Sequence, residues 1–272
     1  MSEKLLVMLT LGILVVLLPF QTGCFATHKV PVSPGQQEVS TDEQGGEMIW
    51  GEPYVKDDTM VIPGSVQASF GEFKVRWVIY PDQSDRLITS SSLMAGEGPP
   101  VEVKLHLLGR KDGTTVLFQQ WATLVGDPKP SGIRPVIVVK TNQLFSVLDG
   151  VDGIPVKNYD KQPQDISWGD IFEKKGSQYV PGSIKADFGS ANICWKREVD
   201  GTLRLITTEA LGGGELPLRE VPLYIWNDNT AKTTLLCQER KPILNQPGPA
   251  YLWPLVVVKT TELIEGMNRL GD

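Results

Sequence analysis

Apolar and polar side chains alternate along much of the chain, and this alternation predicts β-strands. Phe73, Val75 and Trp77 would line one face of a strand, with polar or charged side chains between them. A period of two is typical of a strand that has one buried face. The same period continues over residues 101–121 and is interrupted by Lys-Asp-Gly at 111–113, which predicts a hairpin.

Further along, the pattern predicts a second hairpin at 221–237, turning at 227–229, and buried strands at 135–139 and 255–258. After each buried strand the apolar spacing becomes helical. The residues with this spacing are Leu144, Phe145 and Leu148, and later Leu263, Ile264, Met267 and Leu270. Thr141 and Thr260 stand where a threonine side chain can cap each helix.

The chain matches itself at a shift of 118 residues. Of the 40 residues at 50–89, 15 are identical with their counterparts at 168–207. Ordinary composition would give about two or three identities. Nearer the domain ends the shift becomes 119, so that residues 138–141 match 257–260, which one inserted residue explains. The chain therefore contains one domain twice, in tandem.

The repeat predicts domains at 49–150 and 167–272, joined by a linker at 151–166. Short strands with frequent turns predict a mainly β fold, with two copies of a β-sandwich-like or small-barrel domain that each end in a short α-helix. Because each copy passes from strands to a helix, an α+β fold is the alternative.

The first residues have the pattern of an export signal. Residues 5–20 are an apolar run that follows Lys4, and this run is shorter than the roughly 20 residues of a membrane span. Gly23-Cys24 then follows Gln21, where an aliphatic residue is usual. Residues 1–24 resemble a bacterial lipoprotein signal peptide. The resemblance implies that 1–23 is removed and that Cys24 carries a lipid such as palmitate.

Residues 24–48 are rich in Gln, Ser, Pro, Gly and Glu and lack periodicity, which predicts a flexible linker next to the lipid anchor. We therefore expect an extracytoplasmic, membrane-anchored lipoprotein. Cleavage after Ala26 would instead give a secreted or periplasmic soluble protein. Retention of the apolar run as an uncleaved anchor is a further alternative.

The charge balance argues against nucleic acid as a partner. The chain has 26 Lys and Arg against 32 Asp and Glu, so its net charge is −6, and the cations are scattered. A polyanion would be repelled by this balance in the absence of a basic patch.

Besides Cys24, the chain has Cys194 and Cys237, both in the second copy. At the shift of 118 their counterparts are Arg76 and Gln119, which implies that both cysteines face away from the core. Export permits disulfides, and neighbouring strands could bring the two cysteines together. The sequence thus allows either a Cys194–Cys237 disulfide or two separate thiols.

The sequence gives little indication of catalysis, so we expect no enzyme, no catalytic residue, no cofactor and no metal site. His106 is the one histidine beyond the linker, and its place in a strand predicts a half-exposed side chain. Cysteine and histidine do not cluster as zinc sites require. A hydrolase whose site carries no recognisable motif is the remaining enzymatic alternative.

Seven tryptophans are the other candidates for a site. Trp77 and Trp195 lie on apolar strand faces, which predicts core positions. Trp50 and Trp168 begin their domains and could close one end of the core or contact a ligand. Three further tryptophans lack a counterpart in the other copy and could contact a ligand or partner. These are Trp121, Trp226 and Trp253.

These observations favour a non-catalytic envelope protein whose two β-rich modules bind a protein or take part in an assembly. A pair of modules that bind glycan or peptidoglycan through exposed tryptophans is the alternative. In both cases we expect the membrane, through the lipid at Cys24, and an unknown envelope protein or glycan as partners.

Overall fold

The computed structural model describes residues 45–68, 71–90, 102–121, 132–186, 189–207, 220–242 and 248–271. The predicted signal peptide, Cys24 and nearly all of the predicted lipid-proximal linker lie outside these ranges. Within them, neither helix has the length and apolar character needed to cross a bilayer.

Two sheets of eight strands form in succession, and each is followed by a short helix. The first repeat contains β1 Met48–Trp50, β2 Tyr54–Lys56, β3 Thr59–Ala68, β4 Gly71–Ile79, β5 Asp85–Thr89, β6 Val103–Gly109, β7 Thr114–Trp121, β8 Gly132–Lys140 and α1 Thr141–Phe145. The second repeat contains β9 Ile166–Trp168, β10 Phe172–Lys174, β11 Ser177–Ala186, β12 Gly189–Arg197, β13 Leu203–Thr207, β14 Val221–Asp228, β15 Thr233–Arg240, β16 Tyr251–Lys259 and α2 Thr260–Asn268. The predicted mainly β fold with two tandem domains, each ending in a helix, is confirmed.

Each sheet is an antiparallel meander that closes on itself as a small barrel. The strand order in the first repeat is β1-β3-β4-β5-β6-β7-β8, and β2 continues the line of β1 beside β3. Gly46 then pairs in parallel with Val139, and its N–H donates to the carbonyl of Val138 over 2.7 Å. Gln164 closes the second sheet in the same way against Val258. Closure leaves few unpaired strand edges.

Each barrel encloses its own apolar core, into which the helix packs from one end. Trp77 and Trp195 are fully buried, as predicted. The indole N–H of Trp77 donates to the carbonyl of Leu144 over 3.1 Å, and that of Trp195 donates to the carbonyl of Leu263 over 2.9 Å. A buried indole N–H needs such a partner, so these bonds help to fix each helix against its barrel.

The predicted threonine caps are wrong. Lys140 and Lys259 occupy the N-cap positions, and neither makes a side-chain capping bond. The hydroxyl of Thr141 instead lies 2.8 Å from that of Thr115 on the neighbouring strand. Thr260 and Thr234 form the equivalent pair at 2.9 Å. Cross-strand hydroxyl pairing therefore replaces capping at both strand-to-helix junctions.

The strand pairing corrects the alignment of the two repeats. Leu105 pairs with Gln119, and its counterpart Leu223 pairs with Gln238, so the inserted residue lies in the turn before β15. This turn follows Asp228 rather than spanning 227–229. The structural counterpart of Cys237 is consequently Phe118 and not Gln119. A break in register at both Phe118 and Cys237 supports this equivalence.

The two repeats pack against each other with near two-fold symmetry. Strand β6 contacts β16, and its counterpart β14 contacts β8, which is the reciprocal pattern of an isologous interface. Within this interface His106 packs against its own counterpart Tyr224, with ring centroids 4.6 Å apart and ring planes tilted by 52°. The buried side chains of this interface cluster come from both repeats: Leu108, Val116, Phe118, Ile133, Val138, Leu235, Cys237, Leu252 and Val257.

The segment between the repeats contributes to packing as well as connection. Val151 and Ile154 are buried in the core of the first repeat, although the sequence around them indicates a linker. Tyr159 packs against the interface cluster, and burial raises the pKa of its hydroxyl.

Candidate binding groove

The outer face of the second barrel carries an open groove with a volume of about 930 Å³. Alternation along β11 points Tyr179, Pro181 and Ser183 outward, and the register places Lys196 and Cys194 beside the first two of these residues. Strand β10 and the end of β9 form one side of the groove. Glu220, immediately before β14, forms part of the other side.

An ion-pair network crosses the groove. The ammonium group of Lys196 donates to Glu220 over 2.7 Å and lies 3.2 Å from a carboxylate oxygen of Glu198. The hydroxyl of Tyr179 also donates to Glu220, over 3.2 Å. The hydrogen bond from Lys196 lowers the pKa of Glu220, and the same bond raises the pKa of Lys196. Both groups are therefore charged at neutral pH, and the network holds the Lys196 cation in place.

An aromatic pair forms the apolar wall of the groove. The rings of Phe172 and Tyr179 stack with their centroids 5.1 Å apart and their planes only 7° from parallel. Tyr179 is 9% exposed, whereas Phe172 is 46% exposed. Phe172 therefore buries one face on Tyr179 and leaves the rest of its ring open to a ligand.

Cys194 lies in the floor of the groove and is not a nucleophile at neutral pH. Its side chain packs with Tyr179 and Ile206. Burial raises the pKa of its thiol to about 11. Since the thiolate is the reactive form, this thiol contributes apolar surface and not covalent chemistry.

The structure contradicts a Cys194–Cys237 disulfide. Both residues are free thiols and both are buried. Cys194 packs on the outer face of the second barrel, whereas Cys237 lies in the interface cluster between the repeats. Each of the two cysteines faces away from the core of its own repeat, as expected. Neither cysteine is exposed to solvent, however. Tyr179 and Ile206 cover one thiol, and the first repeat covers the other.

The corresponding face of the first repeat has different chemistry. Val61 and Val78 stand at the places of Tyr179 and Lys196, and a pair between Arg76 and Glu102 at 3.2 Å replaces the three-membered network. At the hairpin tip, Asp57-Asp58 in the first repeat corresponds to Lys175-Gly176 in the second. The groove thus combines positions that both repeats share with positions at which they differ, and Tyr179, Cys194 and Lys196 are among the latter.

Trp50 and Trp168, the predicted ligand contacts at the domain starts, are half-buried and contact the helices. The indole N–H of Trp50 donates to the carbonyl of Gln143 over 2.8 Å, and that of Trp168 donates to the carbonyl of Glu262 over 2.9 Å. Trp168 also contributes part of its surface to the groove. Among the candidate tryptophans whose side chains the structure describes, it alone lines this site.

The two unrepeated tryptophans with described side chains lie where the repeats meet. Trp226 packs edge-on against Phe118, with centroids 5.1 Å apart. Trp253 packs against the core of the first repeat, and the guanidinium group of Arg240 lies 4.4 Å from its ring centroid. The side chain of Trp121 lies outside the described part of the structure.

The prediction of a half-exposed His106 is wrong, because the second repeat covers it. The side chain is 3% exposed, and its Nδ1 lies 3.0 Å from a carboxylate oxygen of Glu239. Lys104 binds the same oxygen over 2.5 Å. Burial alone would raise the pKa of Glu239, but hydrogen bonds from His106 and Lys104 lower it to about 2. Burial and the Glu239 charge raise the pKa of Tyr224 to about 12.

This buried cluster joins the repeats, since Lys104 and His106 belong to the first and Glu239 to the second. A histidine so deeply covered has no access to a substrate, and its carboxylate partner is held as an anion. The arrangement therefore acts as a polar contact between the repeats.

Comparison of the sequence with protein-family models and with curated proteins gives no match.

Proposed function

We propose that the protein is an exported, lipid-anchored envelope protein whose second repeat binds a partner protein in the groove, without catalysis. The main support for the proposal is the chemical make-up of the groove. It combines an exposed aromatic surface at Phe172, a fixed ion-pair network around Lys196, and an inert thiol at Cys194. Such a mixture of apolar surface and a few placed polar groups is typical of binding sites.

The sequence supports the envelope location. The apolar run at 5–20 and the Gly23-Cys24 pair resemble a lipoprotein signal peptide, and a lipid at Cys24 would tether the repeats through the segment at 24–48. A tether of about 25 flexible residues would span roughly 25–30 Å on average. That distance would hold the groove clear of the membrane surface, where an envelope protein could reach it.

Site-specific photo-cross-linking in intact cells tests the binding function. A benzophenone amino acid at position 172 should give one discrete adduct with an envelope protein. The same group at Tyr54, the counterpart of Phe172 with 45% exposure, should not give that adduct. Equal adducts from both positions, or an adduct from neither, would refute a binding site in the groove.

Labelling with radioactive palmitate tests the anchor. The wild-type chain should incorporate the label and sediment with membranes, and Cys24→Ala should lose both properties. A Cys194→Ala variant is the control, because its thiol is buried and should not affect labelling. A wild-type chain without label would overturn the lipid anchor. It would not bear on binding in the groove, which the cross-linking experiment tests separately.

A further inference from the structure

We infer that the ligand of the groove is an extended, acidic segment of a partner protein that pairs with strand β10. This inference rests on the proposed binding function and specifies the chemistry of its partner. Three separate features of the second repeat support it: the charge of the groove, the open edge of β10, and the spacing of the side chains along that strand.

The first feature is an excess of positive charge in a chain whose net charge is −6. Lys174, Lys175 and Lys196 line the groove, against Glu220 alone among the lining carboxylates. Lys196 is already neutralised by its bonds to Glu198 and Glu220. For Lys174 and Lys175, no carboxylate in the described ranges forms an ion pair with either ammonium group. Glu173 lies between Phe172 and Lys174, but the alternation of the strand points it to the opposite side. Lys174 and Lys175 therefore face the groove without an ion-pair partner among the described residues and are available to an acidic ligand.

The second feature is the edge of strand β10. Phe172–Lys174 pairs with β11 on one side, and no other strand in the described part of the chain pairs with its second side. All three residues are exposed. An unpaired strand edge offers backbone N–H and C=O groups to an incoming strand, which is the common mode of peptide recognition by strand addition.

The third feature is the spacing of side chains on β10. Phe172 and Lys174 are two residues apart, so they point to the same side of the strand. A peptide strand beside β10 would place one side chain opposite each of them. The matching peptide therefore carries an acidic residue and an apolar residue separated by one position. The carboxylate would meet Lys174, and the apolar side chain would cover the open part of Phe172.

The first repeat provides the internal control. Its equivalent strand β2 also has an aromatic residue and a lysine, Tyr54 and Lys56. Its hairpin tip, however, is Asp57-Asp58, and that charge would repel an acidic segment. The inference thus assigns the acidic ligand to one repeat only, and matched variants in both repeats can test it.

Fluorescence anisotropy with the full mature chain in detergent is the direct test. The probes are labelled octapeptides in which Ser alternates with Glu and Val, and a version with Lys in place of Glu. We expect the acidic peptide to bind at least tenfold more tightly than the basic one. Lys174→Glu and Phe172→Ala should each weaken binding about tenfold or more, whereas Lys56→Glu and Tyr54→Ala should change it less than twofold.

Hydrogen exchange distinguishes strand addition from contact through side chains alone. The acidic peptide should slow exchange of the backbone amides in β10 and leave those of β2 unchanged. Equal affinity for acidic and basic peptides, equal effects of Lys174→Glu and Lys56→Glu, or unchanged β10 exchange would each overturn the inference. So would a muramyl glycan fragment that binds the groove while the acidic peptide does not.

The two proposals can fail separately. If the cross-linker at position 172 captures an envelope protein but the acidic peptide does not bind, the groove binds a partner of other chemistry. If the cross-linker captures nothing at 172, the binding function fails, whatever the peptide does.

Discussion

Asp85 at the start of β5 is a half-buried carboxyl group whose surroundings oppose its charge. In the described part of the structure, no group hydrogen-bonds its Oδ1 atom. Burial raises the pKa of Asp85 to about 6, outweighing the effect of its own backbone N–H. Its counterpart in the second repeat is Leu203, which is buried in that repeat's core. The position therefore favours an uncharged side chain.

We expect Asp85→Asn to stabilise the protein at pH 7. Because the folded-state pKa of about 6 lies above the usual 3.8, stability falls as the pH rises through that interval. The neutral amide should raise the free energy of unfolding by about 1–2 kcal/mol at pH 7, allowing for partial exposure, and have little effect at pH 4. Urea unfolding at the two pH values measures the difference.

Asp82→Asn is the matched control, three residues away. Hydrogen bonds from the Ser84 side chain and backbone lower the pKa of Asp82, so this change should reduce stability at pH 7. An Asp85→Asn variant that behaved like Asp82→Asn would contradict the assignment of an unfavourable charge to position 85.

At the scale of elements, periodicity predicts the long strands and both helices, because each long strand buries one face. It misses β1, β2, β9 and β10, which have only three residues each. The turn between β2 and β3 is also hard to recognise, since Asp57 and Asp58 both adopt positive φ, where glycine is usual. The groove could not be predicted, because its residues come together only through the register of five strands, β9 to β13.

Helix α2 depends on a close contact with Trp168. A Cβ atom added to Gly266 would lie 2.3 Å from the indole ring, so the glycine makes room for it. On propensity alone, Gly266→Ala would stabilise a helix by up to about 1 kcal/mol. We expect the clash to dominate and the change to destabilise the protein by about 1–3 kcal/mol in chemical denaturation.

A double-mutant cycle separates the two effects. In a Trp168→Ala background the ring is absent, and Gly266→Ala should then be neutral or stabilising. A destabilisation of equal size in both backgrounds would show that the contact with Trp168 is not the cause.

At the scale of the molecule, contacts between the repeats explain why the burial of two residues could not be predicted from the sequence. Cys237 and His106 are buried by the opposite repeat, and no periodicity within one repeat records that contact. The interface cluster also means that the repeats support one another. Phe118 is fully buried and touches Trp226 across the interface.

Phe118→Ala should lower the free energy of unfolding by about 3–5 kcal/mol. Combining it with Trp226→Ala should reveal a coupling of about 0.5–1.5 kcal/mol between residues of different repeats. Thermal unfolding of the two single variants, the double variant and the wild type completes the cycle. Additive effects would indicate that the two side chains do not interact across the interface.

His106 packs against its own counterpart Tyr224, so the two repeats meet as the subunits of a two-fold dimer would, but within one polypeptide. A dimer of identical subunits would present every surface feature twice. Here the stacked Phe172–Tyr179 pair occurs in the second repeat only, since Val61 stands at the place of Tyr179 in the first. A partner that binds in this groove, as proposed, would therefore find one site per molecule. It would bind with one-to-one stoichiometry, and the protein would not bridge two partners into a larger array.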